Sequence, residues 1–201
     1  MNINSNTLLN NYVRVYDDVC EEQFHKKLYN YSKDNPFNDV EDAAIVGHGN
    51  NIVDKKVRDC LQEGLNAFTT KSMTNVYIFN FIGFKFVNYI NRYMNDCGIQ
   101  DVMKSTSIDD MILLRYGEQG HYKRHIDSGT HVMRTLSLIY FINDNYEGGE
   151  VEFSLPSDEN LKTIVKPKSN RLIIFPSNFL YPHKVLPVKK NQRFTIVAWT
   201  K

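Results

Sequence analysis

Paired cysteines are missing from this sequence. Cys20, Cys60 and Cys97 are odd in number, widely spaced and form no Cys-x-x-Cys motif, so free, mostly buried thiols in a reducing compartment are expected. Long hydrophobic runs are missing too: none approaches the ~18 residues of a membrane span, and no membrane partner is expected. Residues 1–11 contain neither a basic n-region nor an apolar h-region, which points to a cytoplasmic protein. Neither charge is in excess, with 24 Lys and Arg against 23 Asp and Glu and a net charge of +1. That balance supplies no global basic field for a nucleic-acid backbone, and no nucleic-acid partner is expected. Repeats and low-complexity segments are absent as well.

What is present is a globular composition: 42% hydrophobic and 12% aromatic residues in a chain of 201. One domain over residues 1–201 with a real core follows from that size. Charge is uneven along the chain, because residues 161–201 hold nine Lys or Arg and no acid while 144–159 hold six acids and no base. Neutralisation across adjacent strands explains these patches better than a binding role.

Residues 1–107 read as mainly helical. Tyr12–Tyr16 is a candidate edge strand, and Asp17-Asp18 offers an N-cap to a helix bearing Cys20, Phe24, Leu28 and Tyr31, with Pro36 beyond its end. Residues 45–52 read as loop, with His48 on its surface. A second helix is expected from near Asp54, with Val57, Leu61, Leu65 and Phe68 on one face. A third runs from about Asn75 to Asp96 and stops at Cys97-Gly98. Its aromatics, Tyr77, Phe79, Phe81, Phe84, Phe86, Tyr89 and Tyr93, are expected to pack on the outside of a sheet.

From Ile108 the period changes to two. Met111–Tyr116, Thr135–Asn143, Glu150–Phe153, Thr163–Lys166, Leu172–Phe175, Lys184–Val188 and Arg193–Thr200 are β-branched and aromatic runs bounded by Gly, Pro, Asn and Asp. No helical interval separates them, which excludes a parallel α/β sheet and indicates a β-sandwich or barrel over 108–201. The class is α+β, a C-terminal barrel supported by N-terminal helices.

The chemistry concentrates in Tyr116-Gly-Glu-Gln-Gly-His-Tyr-Lys-Arg-His125-Ile-Asp127. In an extended strand the His125-x-Asp127 spacing turns both side chains to one face. His183, in Tyr-Pro-His-Lys-Val, is the best third ligand. Two His and one carboxylate on one face leave the opposite positions of a metal open, as non-haem Fe(II) oxygenases require. Alternation in the last strand puts Arg193, Thr195, Val197 and Trp199 on one face, and a buried cation there needs an anion.

These residues resemble the prolyl 4-hydroxylase-like branch of the 2-oxoglutarate/Fe(II) dioxygenases. The likeness runs through Tyr116-Gly117, Gly120, Tyr122, His125-x-Asp127 and Arg134-Thr-Leu-Ser-Leu-Ile-Tyr-Phe-Ile-Asn-Asp144. It continues through Glu147-Gly-Gly-Glu150-Val-Glu-Phe153, Phe175-Pro176, Pro182-His183-Lys-Val and Arg193…Trp199. It implies a double-stranded β-helix (jelly-roll) barrel and a dioxygenase that uses Fe(II), 2-oxoglutarate and O2, with ascorbate as an auxiliary reductant. Such an enzyme hydroxylates a substrate carbon and releases succinate and CO2, and peptidyl proline is the leading substrate. A nucleic-acid dealkylase, a small-molecule hydroxylase and a non-catalytic jelly-roll binding module are the alternatives.

By the same resemblance His125, Asp127 and His183 bind the metal. Arg193, Tyr116 and Trp199 face the cosubstrate, with Arg193 on its distal carboxylate. Arg134 and Tyr122 face a peptide or protein substrate. His121 and His131 flank the ligands without joining them, and Gly148-Gly149 permits a tight turn. The sequence departs from the family at Phe141, where a tyrosine often adds a second hydrogen bond to the distal carboxylate; either the clamp has one donor fewer or another residue, such as Thr135 or Ser137, substitutes.

Overall fold

Period-two alternation in the C-terminal half becomes two antiparallel sheets packed face to face. The structure, a computed structural model, describes residues 9, 11–34, 53–65, 72–103, 107–129 and 132–201. The N-terminal half contributes β1 (Arg14–Tyr16), α1 (Glu22–Asp34), β2 (Arg58–Asp59), β3 (Leu61–Gly64) and α2 (Met73–Asp96). The strands that follow are β4 (Ile108–Tyr116), β5 (His121–His125), β6 (Leu136–Phe141), β7 (Glu147–Gly148) and β8 (Val151–Ser154). The chain ends through β9 (Lys162–Val165), β10 (Arg171–Pro176), β11 (His183–Val185), β12 (Val188–Lys190) and β13 (Arg193–Thr200).

The larger sheet has the order β1-β10-β6-β13-β4-β3 and the smaller one β2-β5-β11-β8-β9. Between them lies an apolar layer that includes Ile139 and Phe141 of β6, Val151 and Phe153 of β8, and Ile173 and Phe175 of β10. The intervening residues Leu138, Tyr140, Leu172 and Ile174 face the other way. There they meet Phe24 and Leu28 of α1 and Ile78, Ile82, Phe86 and Ile90 of α2. This is the expected α+β jelly-roll with helices on its outer face.

The helix α2 is capped at both ends, by Ser72, whose side chain accepts from the Asn75 amide, and by Cys97 before the left-handed Gly98. Its buried stripe is Asn75, Ile78, Ile82, Phe86, Ile90, Tyr93 and Met94. Phe86 and Tyr93 of the expected aromatic face are buried there and Phe79, Phe81 and Tyr89 pack partly against it, but Tyr77 and Phe84 are exposed. Helical phase explains the difference: Phe86 and Tyr93 fall in step with Ile78, Ile82 and Ile90, three and four apart, whereas Tyr77 and Phe84 fall out of step.

The helix expected from Asp54 does not form. Asp54 starts a turn instead, with its carbonyl accepting from the Val57 and Arg58 amides, and the chain continues into β2 and β3. Hydrophobic residues four apart mimic a helix in a short window, but the open edge of β4 offers a full ladder to Leu61–Gly64, and pairing overrides local spacing. Phe68, Pro36 and the loop containing His48 lie outside the described residues.

Two further expectations hold. The acidic Glu152 pairs with Lys162 of the adjacent β9 at 3.3 Å and with Lys184 of the adjacent β11 at 2.8 Å, so the two charged segments do meet across strands. All three cysteines are free thiols. No helix among the described residues is long and apolar enough to cross a membrane.

Candidate metal centre

His183 opens β11, where it is flanked by His125 of β5 on one side and Phe153 of β8 on the other. Between the pairs His183–His125 and Val185–Tyr122 the register slips. This bulge lets Tyr122 and His125, three apart, share one face, and their rings stack with centroids 3.5 Å apart. His125 is the last residue of β5, so Asp127 is not its strand neighbour as expected; it occupies the bend that follows. The two side chains converge all the same.

His125 Nε2 lies 3.4 Å from Asp127 Oδ1, and His183 Nε2 lies 3.6 Å from Asp127 Oδ2. The three ligand atoms fall within 4.8 Å of one another. Each ring Nδ1 faces a backbone carbonyl, Lys123 O at 2.8 Å for His125 and Tyr181 O at 3.2 Å for His183. Only a protonated Nδ1 can donate there, and in a neutral ring that arrangement turns the Nε2 lone pair toward the carboxylate. Burial, with the His125 ring beside it, lowers the His183 pKa to about 4, which keeps that ring neutral at pH 7. With neutral rings the three groups are electron-pair donors facing one point, and a cation between them satisfies all three. The donor set, two imidazoles and one carboxylate, fits Fe(II) with positions left open.

Asp127 itself is held from behind. The Ser137 hydroxyl of β6 donates to its Oδ2 at 2.7 Å and sits 2.7 Å from the Ser177 hydroxyl. Burial disfavours the carboxylate, but the His183 and His125 rings, which gain positive charge as they protonate at low pH, and the Ser137 hydroxyl outweigh it and keep the group ionised far below the usual range. Ser137 thus serves the metal ligand and not the distal-carboxylate clamp for which it was a candidate. Thr135, the other candidate, is exposed.

At the start of β13, Arg193 pairs in register with Tyr116 at the end of β4. It is 1% exposed. Nη1 donates to Thr195 Oγ1 at 3.1 Å, while Nε and Nη2 have no partner. The guanidinium lies 4.8 Å from the Tyr116 ring centroid and 5.2 Å from that of Phe141. A permanent cation buried without a carboxylate is costly, so this end of the barrel calls for an anion. Burial and the nearby Cys60 raise the Tyr116 pKa, leaving its hydroxyl protonated.

A cavity of about 70 Å³ over the metal cluster is lined by Tyr122, His125, Asp127, His183, Val197 and Trp199 with Arg58 and Arg134. Trp199 walls this cavity, with the Arg134 guanidinium carbon over its ring at 3.6 Å from the centroid. Arg134, expected to face a peptide substrate, is half-buried, with its Nε unpartnered. Arg58 of β2 lies over Tyr122 at 4.6 Å, again with an unpartnered Nε. Sequence reading missed it because the segment looked helical; its only signal is a lone arginine beside an apolar residue. His121 faces the carbonyls of Gln119 and Lys56 and stays outside the cluster. His131 lies outside the described residues.

Residues 111–201 match the family model described as the 2OG-Fe(II) oxygenase superfamily. Prolyl 3-hydroxylase 2 of Rattus norvegicus is 33% identical over 69 residues, 34% of this chain and 10% of that protein. The hypoxia-inducible factor prolyl hydroxylase of Caenorhabditis elegans is 29% identical over 93 residues, 44% of this chain and 13% of that protein. The matched segment thus spans about a tenth of the curated relatives. A prolyl hydroxylase from Trichoplax adhaerens, solved with a hypoxia-inducible factor peptide fragment, superposes with a TM-score of 0.72 over 98% of this chain and 86% of that one. At 17% identity this likeness shows the fold.

Proposed function

We propose, from the match of residues 111–201 to the 2OG-Fe(II) oxygenase superfamily, that this chain is a 2-oxoglutarate- and Fe(II)-dependent dioxygenase that hydroxylates peptidyl proline, at C4. The observation that carries the reading is the pairing of two sites inside one barrel: the His125–Asp127–His183 donor cluster and the buried, unpaired Arg193 guanidinium.

In this reading His125, Asp127 and His183 hold Fe(II), and Arg193 holds the distal carboxylate of 2-oxoglutarate through a charge-assisted pair. Iron and cosubstrate, when bound, supply the oxidising power for C–H hydroxylation, with O2 consumed and succinate and CO2 released. The protein's own part is position and electrostatics. Lys123 and Tyr181 carbonyls fix the imidazole tautomers, Ser137 orients the carboxylate, and Val197 and Trp199 exclude water from the cavity. Tyr116 presents its protonated hydroxyl beside Arg193. Tyr122, Arg134 and Arg58 line the approach where a peptide would lie. The prolyl preference is supported by the relatives, which are named as prolyl hydroxylases acting at C3 or on the hypoxia-inducible factor.

The test has two arms. Anaerobic Fe(II) titration with 2-oxoglutarate is expected to give a visible metal-to-ligand charge-transfer band, and its absence would remove the cofactor assignment. Mass spectrometry of proline-containing peptides after turnover under labelled O2 is expected to place one labelled oxygen on proline. Labelling of another residue, or of a free metabolite, would replace the substrate and keep the reaction class.

A further inference from the structure

One hydroxyl at the arginine end of the barrel has no role in the site as described so far. Tyr146 lies in the loop between β6 and β7, is 8% exposed, and its buried Oη has no hydrogen-bond partner. The other unpartnered buried side-chain atoms among the described residues are all arginine nitrogens, and two of them belong to Arg193. Tyr146 and Arg193 also meet at the same glycine. Gly149 has φ +65°, and a β-carbon there would stand 2.9 Å from Arg193 Cδ and 3.0 Å from Tyr146 Cε2. The guanidinium stem and the phenol ring are therefore pressed against one backbone position that only glycine can supply.

Three buried donor atoms, Arg193 Nε, Arg193 Nη2 and Tyr146 Oη, thus share one end of the barrel, where the phenol oxygen lies within reach of the guanidinium and no carboxylate among the described residues serves either group. Burial pushes the Tyr146 hydroxyl up to about 12, against the opposing influence of Arg193, so it is a neutral O–H donor at physiological pH. A carboxylate, with two oxygens and about four lone-pair sites, accepts all three. Phe141, whose ring faces the same guanidinium, has no hydroxyl to offer.

We propose that Tyr146 donates a hydrogen bond to the distal carboxylate of the bound 2-oxo acid, so that Tyr146 and Arg193 together select a dicarboxylic cosubstrate. This rests on the dioxygenase reading above. Gly149 is the backbone feature that admits both side chains.

The experiment compares Fe(II)-loaded protein with 2-oxoglutarate and with 2-oxovalerate, a chain of the same length lacking the distal carboxylate, both titrated anaerobically on the charge-transfer band. Tyr146→Phe is expected to weaken 2-oxoglutarate by about tenfold or more, the loss of a hydrogen bond to a charged group. The same variant leaves 2-oxovalerate and Fe(II) affinity unchanged. Adding Phe141→Tyr to that variant is expected to recover part of the loss by restoring a hydroxyl near Arg193. Tyr146→Phe protein that binds 2-oxoglutarate as the parent does, or that loses both acids equally, overturns the proposal while the parent's band preserves the dioxygenase reading. A parent protein that gives no band with 2-oxoglutarate overturns both.

Discussion

Ser137 donates its hydroxyl to Asp127 Oδ2 at 2.7 Å from a strand of the opposite sheet. The carboxylate is therefore fixed by the barrel as well as by the loop that carries it. Ser137→Ala removes that bond, leaves Asp127 free to rotate and is expected to weaken Fe(II) binding by about 10–100-fold, as losses behind a metal ligand do. Asp127→Ala is expected to abolish turnover altogether without unfolding a core that is apolar. Anaerobic Fe(II) titration of both variants separates them, and full activity in Asp127→Ala with added iron would refute the ligand assignment.

Arg193 makes one hydrogen bond, to Thr195, and leaves two nitrogens unpartnered. Arg193→Ala is expected to raise the apparent KM for 2-oxoglutarate at least tenfold, consistent with about 1.5–3 kcal/mol for a hydrogen bond to a charged group. Iron binding should persist, since Arg193 is not among the metal ligands. A second readout is thermal: 2-oxoglutarate at about 100 times its Kd stabilises the iron-loaded parent by about 2.7 kcal/mol, and the variant at the same concentration by much less. An unchanged KM would move the anchor to another cation.

Much of this site was legible because strand parity survives in β13. Arg193, Thr195, Val197 and Trp199 do share the inner face, while Phe194, Ile196 and Ala198 pack outward against the helices. Parity failed where the backbone departs from it. The β5 bulge, which puts Tyr122 on the His125 ring, leaves no trace in residue spacing. Tyr146 sits in a loop, where no period applies, and its partner atoms come from β13, 47 positions away by number. Arg58 was hidden because Val57, Leu61 and Leu65 have helical spacing, and only the long-range pairing of β3 with β4 reveals the segment as strand.

His25 links α1 to the large sheet and should make stability depend on pH. Its Nδ1 lies 2.6 Å from the Tyr140 hydroxyl and its Nε2 2.8 Å from the Ser169 hydroxyl. Those two hydroxyls also donate elsewhere, Tyr140 to Asn170 Oδ1 and Ser169 to the Ile142 carbonyl. Burial lowers the folded-state pKa from the ordinary 6.5, with Asp144 opposing. A depressed histidine contributes its full stability above the unfolded value and loses it as pH falls through the folded one. Urea midpoints should therefore drop below pH 6.5, and less steeply in His25→Gln. His183 contributes a drop of the same sign to both metal-free proteins, so the difference between them isolates His25. Identical pH profiles would remove His25 as a contributor.

Arg134 lies over the Trp199 ring with its Nε unpartnered and shares the metal cavity with Arg58. Burial lowers its pKa, opposed by Asp127 and Asp110, but a guanidinium remains charged at any working pH. A peptide lying over the cavity would offer backbone carbonyls to that free N–H. Stacking on the indole fixes the guanidinium plane, so little side-chain entropy is lost when a carbonyl binds. Arg134→Ala is expected to depress substrate-coupled hydroxylation by tenfold or more, on the order of one hydrogen bond to a charged group. The slow uncoupled conversion of 2-oxoglutarate to succinate should continue at the parent rate, because neither the metal ligands nor Arg193 is touched. Measuring both rates on one preparation is decisive, since a clamp or metal defect lowers them together. Equal loss of both, or loss of neither, would take Arg134 out of the substrate site and weaken the prolyl reading with it.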